Sequence, residues 1–368
     1  MFTSSKFVAL PVTLALAAAP LAAERTLRVD FPAESPVTVV AADWGASDAS
    51  PRGGALVVDL HTTLRLRNSS PAGIRGITLL VLAQEVTPGG KASVAVPSLN
   101  VPPGETFPVR IDLRLLRPLQ TPAGPLVRVE LDGVLFDDLT FYGPDRLNSR
   151  RSMTAWEIEA RRDRRYFKSV LAARGPEGLR EEILTSLARQ AERPHLDVQV
   201  SRRGRATNLP PGRPLEFAFL RFPDSPIEPL AGMARLSGQE ASEATLEVRN
   251  RSARAIRYFE IGWIVQDRLG REYLAGSVPA ETALPPGETS HVSTDTTLRF
   301  ARPLAVEAMK GFVSKVEFDD GELWIPSRPH LAGQHLDRLV APSPEEQRLT
   351  NLYRKKGLDA LIEELNRF

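Results

Sequence analysis

The chain has 368 residues, no cysteine, 42 % apolar and 25 % charged residues, and a formal net charge of +2 at pH 7. That length and apolar content suffice for two or three domains with ordinary cores and exclude an intrinsically disordered chain. So little net charge gives no general pull towards nucleic acid or anionic membrane, and the lack of cysteine excludes a thiol nucleophile, a cysteine-ligated zinc site and an acylated lipoprotein anchor.

Residues 1–23 have the three parts of a secretory signal: a positive start at Lys6, an apolar run from Phe7 to Ala19, and small residues through Ala23 before Glu24. The run is short for a membrane span, and no later stretch reaches the ~18 apolar residues a span needs. Cleavage after Ala23 is expected, which makes the mature protein periplasmic or secreted, without a transmembrane span. A retained anchor is the alternative.

Residues 24–145 read as a first β unit, and the stretch from Leu64 to Thr106 recurs from Leu246 to Thr289. Asn68 and Asn250 align with a shift of 182, each followed six residues later by Ile74 or Ile256. The Pro-Pro-Gly-Glu-Thr copies begin at Pro102 and Pro285, a shift of 183, and Val129-Glu130-Leu131-Asp132 matches Val316-Glu317-Phe318-Asp319 at 187. A shift that grows in small steps is what loop insertions in a duplicated fold produce. Phe31 to Val37 echoes Phe222 to Ile227, so the duplication begins before the β motif. Asp137-Asp138 reads as a pair of solvated turn carboxylates, because calcium loops want more oxygens at fixed spacing.

From 146 to 193 the pattern changes to a helical hairpin. Thr154-x-x-Glu157 has capping-box spacing. Trp156, Ala160, Phe167 and Leu171 share one face, Gly175-Pro176 stops one helix and starts the next, and Leu179, Ile183, Leu184 and Leu187 mark the second. The first helix is basic, with Arg161, Arg162, Arg164, Arg165 and Lys168 following Arg146, Arg150 and Arg151. That stretch reads either as a face for an anionic envelope surface or as a solvated face offset by Glu157, Glu159 and Asp163.

Residues 194–328 are read as a linker, up to about 221, followed by a second β unit. Thr245 to Arg249 alternates apolar and polar, and Phe259, Ile261, Trp263 and Val265 repeat at period two, as strands with one buried face do. Asp267-Arg268-Leu269-Gly270 and Asp320-Gly321 are turn signals. Trp263 lies where a large aromatic would plug a core, and its counterpart in the first copy is Val81. Residues 329–368 hold a loop and a second helical hairpin, opened by the capping box Ser343-Pro344-Glu345-Glu346. Its apolar face, like that of the first hairpin, needs cover. The adjacent β unit is the nearest candidate and a second protein the other.

Short strands with regular turns predict a mainly β chain of two tandem Ig-like antiparallel β-sandwiches, each followed by a short α-helical hairpin. The pattern Asn250-x-Ser252, Ile256, Trp263-x-Val265-x-Asp267-x-x-Gly270 and Leu284-Pro285-Pro286-Gly287-Glu288-Thr289 resembles the bacterial extracytoplasmic Ig-like modules of the FxLYD or CARDB type. The first copy is degenerate, with Val81 for the tryptophan and Glu85 for the aspartate. The resemblance implies a non-catalytic β-sandwich serving adhesion, spacing or assembly.

No G-x-S-x-G elbow, H-E-x-x-H pair or phosphate-binding glycine loop is present. The five histidines, His61, His195, His291, His330 and His335, do not recur at matched positions. His330, His335 and Asp337 lie in a Pro- and Gly-bearing loop that suits a metal poorly. No catalytic, cofactor-binding or metal residue is therefore assigned. Paired glycosidase carboxylates are a spatial feature that sequence spacing leaves open. The expected role is contact with another protein or an envelope surface, without nucleic acid and without a cofactor. The alternative is an extracytoplasmic hydrolase or carbohydrate-active enzyme.

Overall fold

The structure is a computed structural model that describes residues 26–84, 88–119, 124–202, 212–294, 296–301 and 304–368. The expected signal segment, Glu85 and residues 203–211 lie outside the described residues. The chain divides into two compact units at Arg150 and Arg151.

The first unit is built from β1 (Leu27–Asp30), β2 (Val37–Ala41), β3 (Asp48–Arg52), β4 (Ala55–Asn68), β5 (Ile74–Leu82), β6 (Lys91–Val96), β7 (Thr106–Pro118), β8 (Val127–Phe136) and β9 (Phe141–Tyr142). One sheet runs β1-β8-β5-β6 with β9 also on β8. The other has β4 at its centre, with β2 and β3 along one edge and β7 along the other. β4 buries Leu60, Leu64 and Leu66 and exposes His61, Arg65 and Arg67, the period-two pattern of a strand with one dry face. Those leucines share a core with Ile77 and Leu79 of β5, Ile111 of β7 and Val129 of β8.

The second unit contains β10 (Val198–Arg202), β11 (Arg213–Leu220), β12 (Ile227–Ser237), β13 (Glu240–Asn250), β14 (Ile256–Asp267), β15 (Glu272–Leu284), β16 (Thr289–Ser293), β17 (Thr296–Phe300), β18 (Val306–Phe318) and β19 (Leu323–Trp324). Eight of them form one path, β10-β17-β13-β12-β11-β18-β14-β15, with β16 also on β13 and β19 also on β18. β11 joins its halves: Arg213 to Glu216 pair with β12 in antiparallel, and Phe217 to Leu220 pair with β18 in parallel. The path curls into a nearly closed, barrel-like sheet, with Val200 of β10 lying against Gly276 of β15. β10 and β11 occupy the stretch expected to be a linker. Leu196-x-Val198-x-Val200 and Leu215-x-Phe217-x-Phe219 already carry the strand alternation, and pairing with β17 and β18 realises it.

Strand pairing repeats between the units. β1 lies parallel to β8 as β11 does to β18, and β5 sits between β8 and β6 as β14 sits between β18 and β15. Ile74 faces Phe136 with a bulge before Gly76; Ile256 faces Phe318 with a bulge before Tyr258. Val81 faces Val129, and Trp263 faces Gly311. The shift in β8 and β18 is therefore still 182, and the Val129-to-Asp132 match at 187 is five residues out of register. Pairing outranks letter identity because a slip of even one residue turns every side chain to the wrong face.

The described residues also form the α-helices α1 (Ser149–Glu192), α2 (Arg328–Gly333) and α3 (Pro344–Asn366). α1 starts before the expected box. Asp145 Oδ1 accepts from Arg150 N at 2.9 Å, and Thr154 and Glu157 lie inside the helix. α1 folds back at Gly175 (φ 69°) and α3 at Gly357 (φ 85°), the left-handed conformation that glycine adopts without steric cost. Arg348 Nη1 donates to Glu364 Oε1 at 2.5 Å and closes the second hairpin, and Tyr166 and Glu182 stand at the equivalent positions of the first. The cover for each apolar face is the other hairpin, rather than the adjacent β unit or a second protein. Phe167, Leu179 and Ile183 share one core with Leu349, Leu361 and Leu365, which are the same residues one repeat later. Leu184, expected on that face, points outward.

Candidate functional site

The residues singled out from sequence are placed first. Trp263 is 2 % exposed and lies in the core, its ring 4.3 Å from that of Phe217. Asp138 Oδ1 accepts from the nitrogen and hydroxyl of Thr140, which makes it a turn residue. His330 stacks on Phe222 at 5.7 Å with Nδ1 3.1 Å from Asp224 Oδ1. Among the described residues no three His, Asp or Glu side chains converge as a metal-ligand set.

The basic stretch of α1 is largely neutralised within the protein. Arg164 is buried between Glu157 at 2.9 Å and Glu345 at 3.3 Å. Arg162 pairs with Asp163 at 3.1 Å and donates to the Pro326 carbonyl at 2.9 Å. Arg151 pairs with Glu317. Asp163 is fully buried and accepts from Ser343 Oγ at 2.6 Å and Arg328 Nη1 at 3.0 Å. Ser343 Oγ accepts in turn from Glu346 N at 3.0 Å, capping α3. The Glu346 carboxylate does not complete the box; it takes bonds from Ser186 Oγ at 2.6 Å and from Arg328 at 3.2 Å. These charges sit in low dielectric and depend on one another, since an unpaired one there is expensive.

Beside this network is a cavity of about 220 Å³, lined by both arms of α1, the face of β14, β15 and β18, and the 326–343 segment. Glu260 on its wall pairs with Lys315 at 3.0 Å and accepts from the Tyr258 hydroxyl. Glu159, also on the wall, has no hydrogen bond or ion pair among the described residues. Burial pushes its carboxyl above the usual carboxylate range. Asp163 and Glu260 push the same way, while Arg162 and Lys315 oppose without cancelling them. Burial also raises the Tyr258 phenol well above its ordinary value, helped by Glu260. The cavity thus offers a carboxyl able to give or take a proton that forms no ion pair among the described residues. Sequence reading used Glu159 only as an offset to its basic neighbours, because nothing local marks which carboxylates stay unpaired.

A second feature lies on the sheets. Val39, Val40, Ala41 and Ala42 are all exposed, Val40 at 55 %, on or just after edge strand β2. In the second unit Leu230 (37 %) and Ala231 are exposed at the same place on β12. Val40 and Leu230 are each the residue skipped by the strand register, the bulge between Val39 and Ala41 and between Pro229 and Ala231.

No family model matches the chain, and no curated protein matches it. Among solved structures, it is similar to the ApaA protein from Bordetella pertussis at 17 % identity and a TM-score of 0.17, over 35 % of this chain and 85 % of that one. It is similar to a β-glucosidase from Kluyveromyces marxianus at 8 % identity and a TM-score of 0.17, over 72 % of this chain and 45 % of that one. It is similar to an allantoicase from Saccharomyces cerevisiae at 9 % identity and a TM-score of 0.09, over 74 % and 88 %. At such TM-scores these likenesses carry no argument about fold or activity.

Proposed function

We propose that the protein is an extracytoplasmic, non-catalytic contact protein of two Ig-like modules in tandem, and that it binds another protein through the apolar edge of each module. The observation that carries this reading is the repeated bulge with Val40 and Leu230 in solvent. An exposed edge strand is usually blunted with lysine or proline, because it invites pairing. Here both copies keep an apolar side chain in solvent at that point, Val40 on edge strand β2 and Leu230, beside Pro229, on the stretch of β12 that β11 does not reach, although they differ even in the core, where one has Trp263 opposite Gly311 and the other Val81 opposite Val129. The bulge interrupts a continuous ladder, so the partner engages side chains rather than adding a full strand. The charge pattern of residues 1–23 and the resemblance to FxLYD- or CARDB-type modules support the extracytoplasmic, Ig-like assignment.

The alternative, a hydrolase, is favoured by Glu159 in its cavity. It wants a second free acid or base close by, whereas Glu260 is held by Lys315 and Tyr258.

Photo-crosslinking residues at the neighbouring exposed positions 42 and 231 are expected to capture one common protein in the cell envelope, and a probe at exposed Thr63 is not. Val40→Asp with Leu230→Asp should abolish capture without lowering the melting temperature. Equal capture from position 63, or capture that survives both aspartates, would remove the proposal.

A further inference from the structure

The cavity in the second unit has a charge pattern that the edge-contact reading does not use. Nine charged side chains line it. Seven have partners of opposite sign: Glu260 with Lys315, Arg162 with Asp163, Arg328 with Glu346, and Arg189 with Asp337 at 3.8 Å. The two that have no hydrogen bond or ion pair among the described residues are Glu159 and Arg193, one of each sign.

The hairpin sets these two at one level. Glu159 lies 16 residues before the reversal at Gly175 and Arg193 lies 18 after it. At ~1.5 Å per residue they are displaced by only about 3 Å along arms whose axes are roughly 8–10 Å apart. A ligand that carries only a cation would leave Arg193 unmatched, and one that carries only an anion would leave Glu159 unmatched. A zwitterion matches both. The remaining wall includes Leu274, Phe312, Leu331 and Val340, an apolar lining. The volume, about 220 Å³, is below the roughly 300–1,000 Å³ of drug-sized pockets and suits a molecule of around ten heavy atoms.

We infer that this cavity binds a small α-amino acid with an apolar side chain, its ammonium on Glu159, its carboxylate on Arg193 and its side chain against Leu274, Phe312, Leu331 and Val340. The ionised Glu159 that burial disfavours would be stabilised by the ammonium, and Arg193 would gain the counter-ion it lacks. The inference is independent of the edge contact and stands or falls separately.

The test is calorimetric titration of the full chain with leucine, with leucinamide, which lacks the carboxylate, and with 4-methylpentanoate, which lacks the amine. Leucine is expected to bind, and each analogue to bind at least about tenfold more weakly, since each gives up one of the two charge pairs. Glu159→Gln and Arg193→Gln should each weaken leucine by a similar factor, with thermal melts showing that both variants fold. Absence of binding by leucine, valine, isoleucine and methionine at millimolar concentration would overturn the inference. So would leucinamide or 4-methylpentanoate binding as well as leucine, or binding unchanged in both variants.

Discussion

Phe167 and Leu349 are equivalent residues of two successive helical hairpins, and both are fully buried in one shared core. Each hairpin therefore covers the apolar face of the other. Leu349→Ala should cost about 2–5 kcal/mol, the range for a buried leucine whose cavity closes only partly. Removing residues 344–368 should expose Phe167, Leu179 and Ile183 together and produce binding of a hydrophobic dye at 25 °C. A truncated chain with full-length dye response and melting temperature would show that the hairpins do not depend on each other.

Asn250 fixes the corner between β13 and β14. Its Nδ2 donates to Arg254 O at 2.7 Å and Leu284 O at 3.0 Å, and its Oδ1 accepts from Ser252 N at 2.9 Å and Ser252 Oγ at 2.7 Å. Asn68 does the same with Ala72, Val101 and Ser70. Each buried group left unpaired costs about 1–3 kcal/mol. Asn250→Ala should therefore lower stability by at least about 2 kcal/mol in urea unfolding. Asn250→Asp should not rescue it, because a carboxylate cannot donate to the two carbonyls.

Trp263 and Gly311 divide one volume unequally, where Val81 and Val129 divide it more evenly. A Cβ at Gly311 would lie 2.8 Å from Phe219 Cε1 and 3.0 Å from Trp263 Cζ3. Trp263→Val alone should cost about 3 kcal/mol through the cavity it leaves, and Gly311→Val alone about 1–3 kcal/mol through overpacking. The double variant, which restores the first copy's pair, should be less destabilised than the sum by about 1 kcal/mol or more. Strict additivity in denaturant melts would mean that the two positions do not share space.

Glu159 gives the stability a pH dependence of known sign. Its folded carboxyl is pushed up by burial, with Asp163 and Glu260 adding to Arg162- and Lys315-opposed repulsion. Below the ordinary glutamate value both folded and unfolded forms hold the proton, and nothing is lost. As pH rises through the window from that value to the raised one, the unfolded chain ionises first and stability falls. Glu159→Gln should remove this fall and stabilise the protein at pH 7 relative to the parent, with no gain at pH 4. A parent and variant whose melting temperatures differ equally at both pH values would contradict it.

Residues close in the chain made much of this fold legible. The 182-residue repeat shows in matching letters, and the turn at Asp267 to Gly270, the reversal at Gly175 and the Ser343 cap follow from backbone preferences and hydrogen-bonding groups within a few positions. Partners far apart in sequence decided the rest. The register of β8 and β18, the strands β10 and β11 hidden in a presumed linker, and the meeting of the two hairpins depend on which surfaces bury each other. So does the candidate site: Glu159 and Arg193 look like ordinary charges along the chain. Only the folded network, which gives Asp163, Arg162, Lys315 and Glu346 their counter-ions, leaves those two without an ion pair among the described residues, at one cavity.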